Sequence, residues 1–216
     1  MNQDLLTYIK QFGSAYNTED SSLFFYALTK MEKYKTFVEF GTGLGCTAFA
    51  VASAMKENGE GKCITFDNGR EYDGASNMSY QEYINSMAHK FGIQNHFILS
   101  NKEIDFTWRD RNKVDCVFAD FDREVATIER LMSWALYSID DYASIFIDGL
   151  YNYKEGFYYT KLLVNKLNEN KIPNFLLAHK QFIEEHSFSL TTIRKEDTHN
   201  TGQDSMCWIK IESDNI

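Results

Sequence analysis

Proline is nearly missing. Pro173 is the only one in 216 residues, so no active site that needs a proline motif elsewhere in the chain can be built. The four cysteines, Cys46, Cys63, Cys116 and Cys207, form no C-x-x-C pair. Each lies in apolar or strand-like surroundings, where a buried reduced thiol is the reading. No apolar run is longer than the six residues Leu23 to Leu28, far short of a membrane span. The opening MNQDLLTYIKQFG has neither a basic nor an apolar leader region. A cytoplasmic protein is expected. Positive charge is scarce too, with 22 Lys+Arg against 31 Asp+Glu and a net charge of -9. Such a chain repels phosphate backbones, which argues against a nucleic-acid partner.

What remains is ordinary globular composition, 44% hydrophobic and 25% charged, which excludes disorder and fibre. The length suits one domain with a full core, taken as 1–216, with a helical cap at 1–35 and a core from 36 to 216. Leu5, Leu6, Ile9 and Phe12 recur at helical spacing, and a second helical run spans Leu23 to Tyr34. Short apolar strands then alternate with amphipathic stretches: 36–40, 62–67, 96–100, 114–120 and 143–148. The intervening helices are expected from Gly45 to near Gly59, from the capping-box pattern at Ser79 to Gly92, from Asp122 through Ile139, and from Tyr151 to Lys171, stopped by Pro173. Two further strands, 188–195 and 205–211, flank a polar loop too short for a crossover helix and should pair antiparallel. The segment 174–186 has no clear assignment. The alternation predicts an α/β protein of Rossmann-like, doubly wound type, its seven-stranded sheet mainly parallel with an antiparallel C-terminal pair.

The strongest local signal is Glu39-Phe40-Gly41-Thr42-Gly43-Leu44-Gly45-Cys46, a glycine loop after the first strand that opens a helix. The dinucleotide fingerprint is G-x-G-x-x-G; here the third glycine comes one place early and Cys46 fills its slot. The pattern E-x-G-x-G-x-G instead resembles motif I of class I S-adenosylmethionine (SAM)-dependent methyltransferases. The resemblance implies that the loop (Gly41, Thr42, Gly43 and Gly45) passes under the methionine and ribose parts of SAM, with Glu39 helping to hold the amino-acid end. It also implies that Asp67, ending the second strand, accepts from the ribose hydroxyls, and that Ser100 and Asn101 lie near the adenine.

Asp120, after the fourth strand, is then expected beside the transferred methyl group. The spacing from Asp120 to Asp148, after the fifth strand, is similar to the catechol O-methyltransferase-like branch. That branch holds magnesium through an Asp and an Asp-Asn pair. Here Asp120 and Asp148 match, but Gly149 stands where the asparagine would be. A metal, if held, would use Asp120 and Asp148, with Asn152 nearby; the missing ligand argues against one. Arg123 replaces the branch's lysine and stays protonated. It could anchor a substrate carboxylate or acidify a hydroxyl. Asp120 or Asp122 could take the acceptor's proton. The five histidines, His89, His96, His179, His186 and His199, show no partner by spacing. The polar stretch Asn68–Met78 suggests a lid, and the tyrosine-rich run Tyr151–Tyr159 a substrate-pocket wall or a packed helix face.

Proline scarcity now separates branches. Methyltransferases acting on amide or exocyclic nitrogen commonly carry Asn/Asp-Pro-Pro-Tyr/Phe after strand four, and cytosine-C5 enzymes a Pro-Cys; this chain has Ala119-Asp120-Phe121-Asp122. The expectation is methyl transfer from SAM to a small molecule, at oxygen, with a homodimer left open. The alternatives are an NAD(P)-dependent oxidoreductase and a catalytically inactive SAM-fold binding module.

Overall fold

Apolar runs without polar interruption become strands covered on both faces, because only a buried parallel strand needs no solvent side. The computed structural model describes residues 1–13, 18–70, 77–102, 104–109, 113–194 and 204–213. It divides into two compact units, one built on Met1–Ile104 and the other on Asp105–Lys195 with Gly202–Ile216.

In the first unit, helices α1 (Gln3–Gly13) and α2 (Thr18–Glu32) precede strand β1 (Thr36–Phe40), all of whose residues are buried. Helix α3 (Cys46–Asn58), β2 (Lys62–Asp67), α4 (Tyr80–Lys90) and β3 (Phe97–Asn101) follow. The strands run in the order β3-β2-β1. Both pairings are parallel, Phe40 opposite Phe66 and Asp67 opposite Asn101. Residues Cys46 through Met55 of α3 are all buried, and its alanines let neighbouring elements approach closely. A helix apolar on every side can only be stable inside a core. Phe49 on α3 anchors that core, its ring lying 6.0 Å from Tyr8, 5.7 Å from Phe91 and 5.1 Å from Phe97. The helix ends are set by local chemistry. Gly59 adopts φ 86° and donates to the carbonyls of Met55 and Lys56. Ser79 and Glu82 form the reciprocal capping box that opens α4.

In the second unit, β4 (Val114–Ala119) and β5 (Ile139–Asp148) pair in parallel around α5 (Val125–Ser138). Helix α6 (Lys154–Asn168) follows a short 3₁₀ turn at Leu150–Asn152. A 3₁₀ segment, Asn174–His179, then leads into the one-turn helix α7 (Lys180–Glu184). The last strands, β6 (His186–Arg194) and β7 (Ser205–Ser213), pair antiparallel, and β7 also pairs antiparallel with β5, giving the order β4-β5-β7-β6. The seven strands with their antiparallel C-terminal pair are those expected of the α/β class.

Several boundaries differ from the sequence expectation, each for a physical reason. Helix α5 starts at Val125, not Asp122, because Asp122 turns its carboxylate back to the Glu124 amide. Helix α6 ends at Asn168, well before Pro173, and Asn170 takes φ 56° just after it. Strand β5 begins at Ile139, earlier than 143, across a register shift between Val114 and Cys116. All four cysteines are free and buried. No helix among the described residues is long and apolar enough to cross a membrane. The expected lid includes 71–76, and the last polar loop, with His199, includes 195–203; both stretches lie outside the described residues.

Replacing Phe49 by Ala should lower the unfolding free energy by about 3–5 kcal/mol, read from urea denaturation followed by circular dichroism. A loss under about 1 kcal/mol would show that the α1–α3–β3 cluster collapses around the void.

Candidate active site

In the first unit, the glycine loop bends through three left-handed positions, Gly41 (φ 97°), Gly43 (φ 50°) and Gly45 (φ 82°). Two of these have separate causes. At Gly45 a Cβ would lie 2.7 Å from the Phe49 ring, so the residue is fixed by packing. At Gly43 a Cβ would meet nothing within 4 Å; there the absent side chain leaves open space against bare backbone. The Gly41 N–H donates to the Phe66 carbonyl at 2.9 Å, and the Gly45 N–H to Thr42 O at 2.8 Å.

Side chains from four elements hold this loop. Asp67, at the end of β2, accepts from the Gly43 N–H at 2.9 Å through one carboxylate oxygen and from the Gly69 N–H at 2.7 Å through the other. Tyr80 at the start of α4 donates to the Gly43 carbonyl at 2.8 Å, and Tyr8 of α1 to the Leu44 carbonyl at 2.7 Å. Glu39 is buried and accepts from the Thr65 hydroxyl, which in turn is bonded to the Thr42 hydroxyl. With the Thr65 proton committed to the carboxylate, Thr42 is the donor in that second link. Glu39 therefore reaches the loop through two threonines. Helix α3 begins at Gly45 with no side-chain cap, which leaves its first amides to other acceptors. Ser100 and Asn101 end β3, Asn101 opposite Asp67. The two tyrosines escape sequence reading: Tyr80 lies inside the capping-box pattern, and nothing in spacing says that its hydroxyl reaches 37 residues back.

In the second unit, a different group assembles at the ends of β4 and β5. Arg123 donates through Nη2 to Asp120 Oδ1 at 2.9 Å and through Nε to the Asp148 carbonyl at 2.7 Å. The same Nη2 lies 3.8 Å from Asp148 Oδ2. The Arg123 side chain is only 10% exposed and that of Asp148 4%, whereas Asp120 keeps 27%. The guanidinium also lies 5.4 Å from the Tyr153 ring, a cation–π distance. Arg123 is thus neither exposed nor within a helix. Its nearest electrostatic partners are the two aspartates. Asp122 is exposed and engaged with the Glu124 N–H, so it does not join the Asp120–Arg123–Asp148 group.

A magnesium ion does not fit this group. The guanidinium is bonded to one carboxylate and beside the other, Gly149 offers no ligand, and Asn152 donates its amide to Asp204 at 2.6 Å. No set of three His, Cys, Asp or Glu residues able to hold a metal occurs among the described residues. Among the described histidines, His96 and His186 bond the carbonyls of Gly61 and Phe182, and burial pushes the His179 pKa down.

A family model described as a methyltransferase domain matches residues 38–172. No curated protein matches the chain in sequence. Among solved structures, the chain is similar to the O-methyltransferase TomG from Streptomyces achromogenes, involved in tomaymycin synthesis and solved with SAM (13% identity, TM-score 0.61, 99% of this chain and 92% of that one). It is also similar to an O-methyltransferase from Bacillus cereus solved with SAH (13%, 0.61, 98% and 92%). A methyltransferase from Geobacter sulfurreducens gives 15% identity, TM-score 0.62 and coverage of 98% and 90%. At these identities the likeness is one of fold.

Burial raises the pKa of both loop-bracing tyrosines, aided by the Tyr83 hydroxyl at Tyr8 and by the Asp67 charge at Tyr80. A folded-state pKa above the unfolded value of about 10 means full stability below that pH and loss as pH rises through it. Urea midpoints measured from pH 8 to 11 should therefore fall steeply at the alkaline end. The Tyr8→Phe/Tyr80→Phe double variant should show a flatter fall; an unchanged slope would contradict the assignment.

Proposed function

This chain belongs to the methyltransferase-domain family, and we propose that it transfers the methyl group of SAM to an oxygen of a small-molecule acceptor. The observation that carries the reading is the glycine loop: a backbone bared at Gly43, with Asp67 fixed beside it. SAM, when bound, supplies a methyl group on a positively charged sulfur, ready for in-line displacement.

The residues fit that cofactor. Each Asp67 oxygen accepts one backbone N–H, and a carboxylate oxygen has a second acceptor position, which suits ribose hydroxyls. Gly41, Thr42, Gly43 and Gly45 would form the floor that holds the methionine and ribose parts of SAM. Glu39 supports the amino-acid end through Thr65 and Thr42. Ser100 and Asn101, opposite Phe66 and Asp67 in the strand register, would lie on the adenine side. In the second unit, Asp120 and Arg123 act on the acceptor, and Asp122, exposed and bonded to the Glu124 N–H, is left out. Residues 1–216 are taken as one methyltransferase domain.

The net charge of -9 favours a small molecule over nucleic acid, and four buried free thiols suit a reducing cytoplasm. The oxygen assignment rests on the Ala119-Asp120-Phe121-Asp122 sequence after β4, which lacks the proline motifs of nitrogen-directed enzymes.

Calorimetry with SAM, S-adenosylhomocysteine (SAH) and NADH tests the reading. SAM and SAH should bind and NADH should not, and Asp67→Ala should weaken SAH by about tenfold to hundredfold. NADH binding without SAM binding would mark an oxidoreductase. SAM binding without transfer of a tritiated methyl group to any compound of a broad acceptor panel would mark an inactive binding module.

A further inference from the structure

Resting on the methyltransferase reading, we infer that Arg123 is a built-in cation in the place where the catechol O-methyltransferase-like branch holds its metal. The acceptor it serves is an uncharged, non-chelating hydroxyl group.

The geometry is that of a substitution. One nitrogen, Nη2, lies 2.9 Å from Asp120 Oδ1 and 3.8 Å from Asp148 Oδ2, so the guanidinium lies between the two carboxylates matched to metal ligands. A magnesium ion needs oxygens at about 2.0–2.1 Å in a near-octahedral set. A guanidinium, always protonated, would repel it at this range. The third position explains how the arginine gets in. Gly149 takes φ 65°, and a Cβ there would lie 3.3 Å from Nη2 and 3.4 Å from Nε of Arg123. A side chain at 149 would therefore have to push the guanidinium aside by a few tenths of an ångström and hold a left-handed backbone that glycine adopts freely. The residue that removes a metal ligand is therefore the one that gives the arginine room. The two departures from the branch pattern are one arrangement.

Charge then selects the acceptor. Magnesium with two aspartates is neutral, and it can hold an ionised diol through both oxygens. Arg123 with the same aspartates leaves one net negative charge, which disfavours a carboxylate or a pre-ionised phenol. A neutral hydroxyl avoids that repulsion. Arg123 Nη1 has no partner among the described residues, and its N–H groups are available to the lone pair of the acceptor oxygen. Asp120, the more exposed of the two acids, takes the hydroxyl proton. The oxygen keeps the electron pair that forms its bond to the methyl carbon, and the carbon–sulfur pair stays with sulfur.

Manganese, as an EPR-visible divalent probe, tests the site on the whole protein with SAH bound. Wild type should show no manganese binding sensitive to Asp148→Asn. The Arg123→Met/Gly149→Asn variant should bind at least about tenfold more tightly than wild type, and Asp148→Asn should abolish the gain. Manganese bound by wild type and lost in Asp148→Asn overturns the proposal, and this arm decides even if the double variant does not fold. A double variant that folds and gains no binding overturns it too. With tritiated SAM in EDTA, single-hydroxyl compounds should be methylated. Transfer only to carboxylates, only with magnesium, or to no hydroxyl compound overturns the acceptor assignment. Calorimetry of the wild type with SAH separates these outcomes from failure of the methyltransferase reading: SAH binding with the acceptor or manganese result reversed overturns the arginine proposal alone, whereas no SAH binding overturns the methyltransferase reading itself.

Discussion

A loop that must offer bare backbone to a ligand has to be held from behind, and here that work falls to the Asp67 carboxylate on the Gly43 amide. The contact fixes the apex of the loop relative to β2. Tyr80 and Tyr8 then satisfy the carbonyls of Gly43 and Leu44. Backbone groups left without partners would cost free energy and let the loop wander. With partners supplied by α1, α4 and β2, the loop is pre-organised, so less ordering is left to binding. Phe49 closes the arrangement, because its ring lies where any side chain at Gly45 would go. The core of the first unit and the shape of the loop are thus one packing problem.

Much of this was legible in the sequence. The strand ends carrying Glu39, Asp67, Asp120 and Asp148 are marked by apolar runs that stop at an acid, and the glycines at 41, 43 and 45 announce left-handed turns. The capping box at Ser79 and the glycine at 59 are local signals, and local signals survive into the fold. What could not be read depends on side chains reaching across long sequence separations. Tyr8 and Tyr80 look like ordinary helix residues. Arg123 looks like a solvated first-turn residue until Asp148, 25 positions on, supplies a carbonyl. The segment 174–184 breaks into a 3₁₀ stretch and a single helical turn, neither long enough to show a period.

Arg123 also illustrates how a buried ion group is tolerated. Its charge is met by Asp120, its Nε by a main-chain carbonyl and its flat face by Tyr153. Removing a charged member of the set would leave desolvated charge, which costs more than the pair itself contributes. Such a group is therefore fixed as a set, which suits a site where position matters more than adaptability.

Strand β7 lies between β5 and β6, and its Ser205 carbonyl accepts the Gly149 N–H at 2.8 Å. During synthesis, β4 and β5 emerge long before β7, so the edge of β5 stays unpaired and the turn at Gly149 lacks its backbone anchor until 205–213 have been made. The glycine loop needs only the first unit's residues and can set earlier. All the partners described for the loop are thus synthesised while the turn at Gly149 still lacks its anchor. In that interval the open β5 edge is a surface for mispairing, a hazard general to unpaired strands.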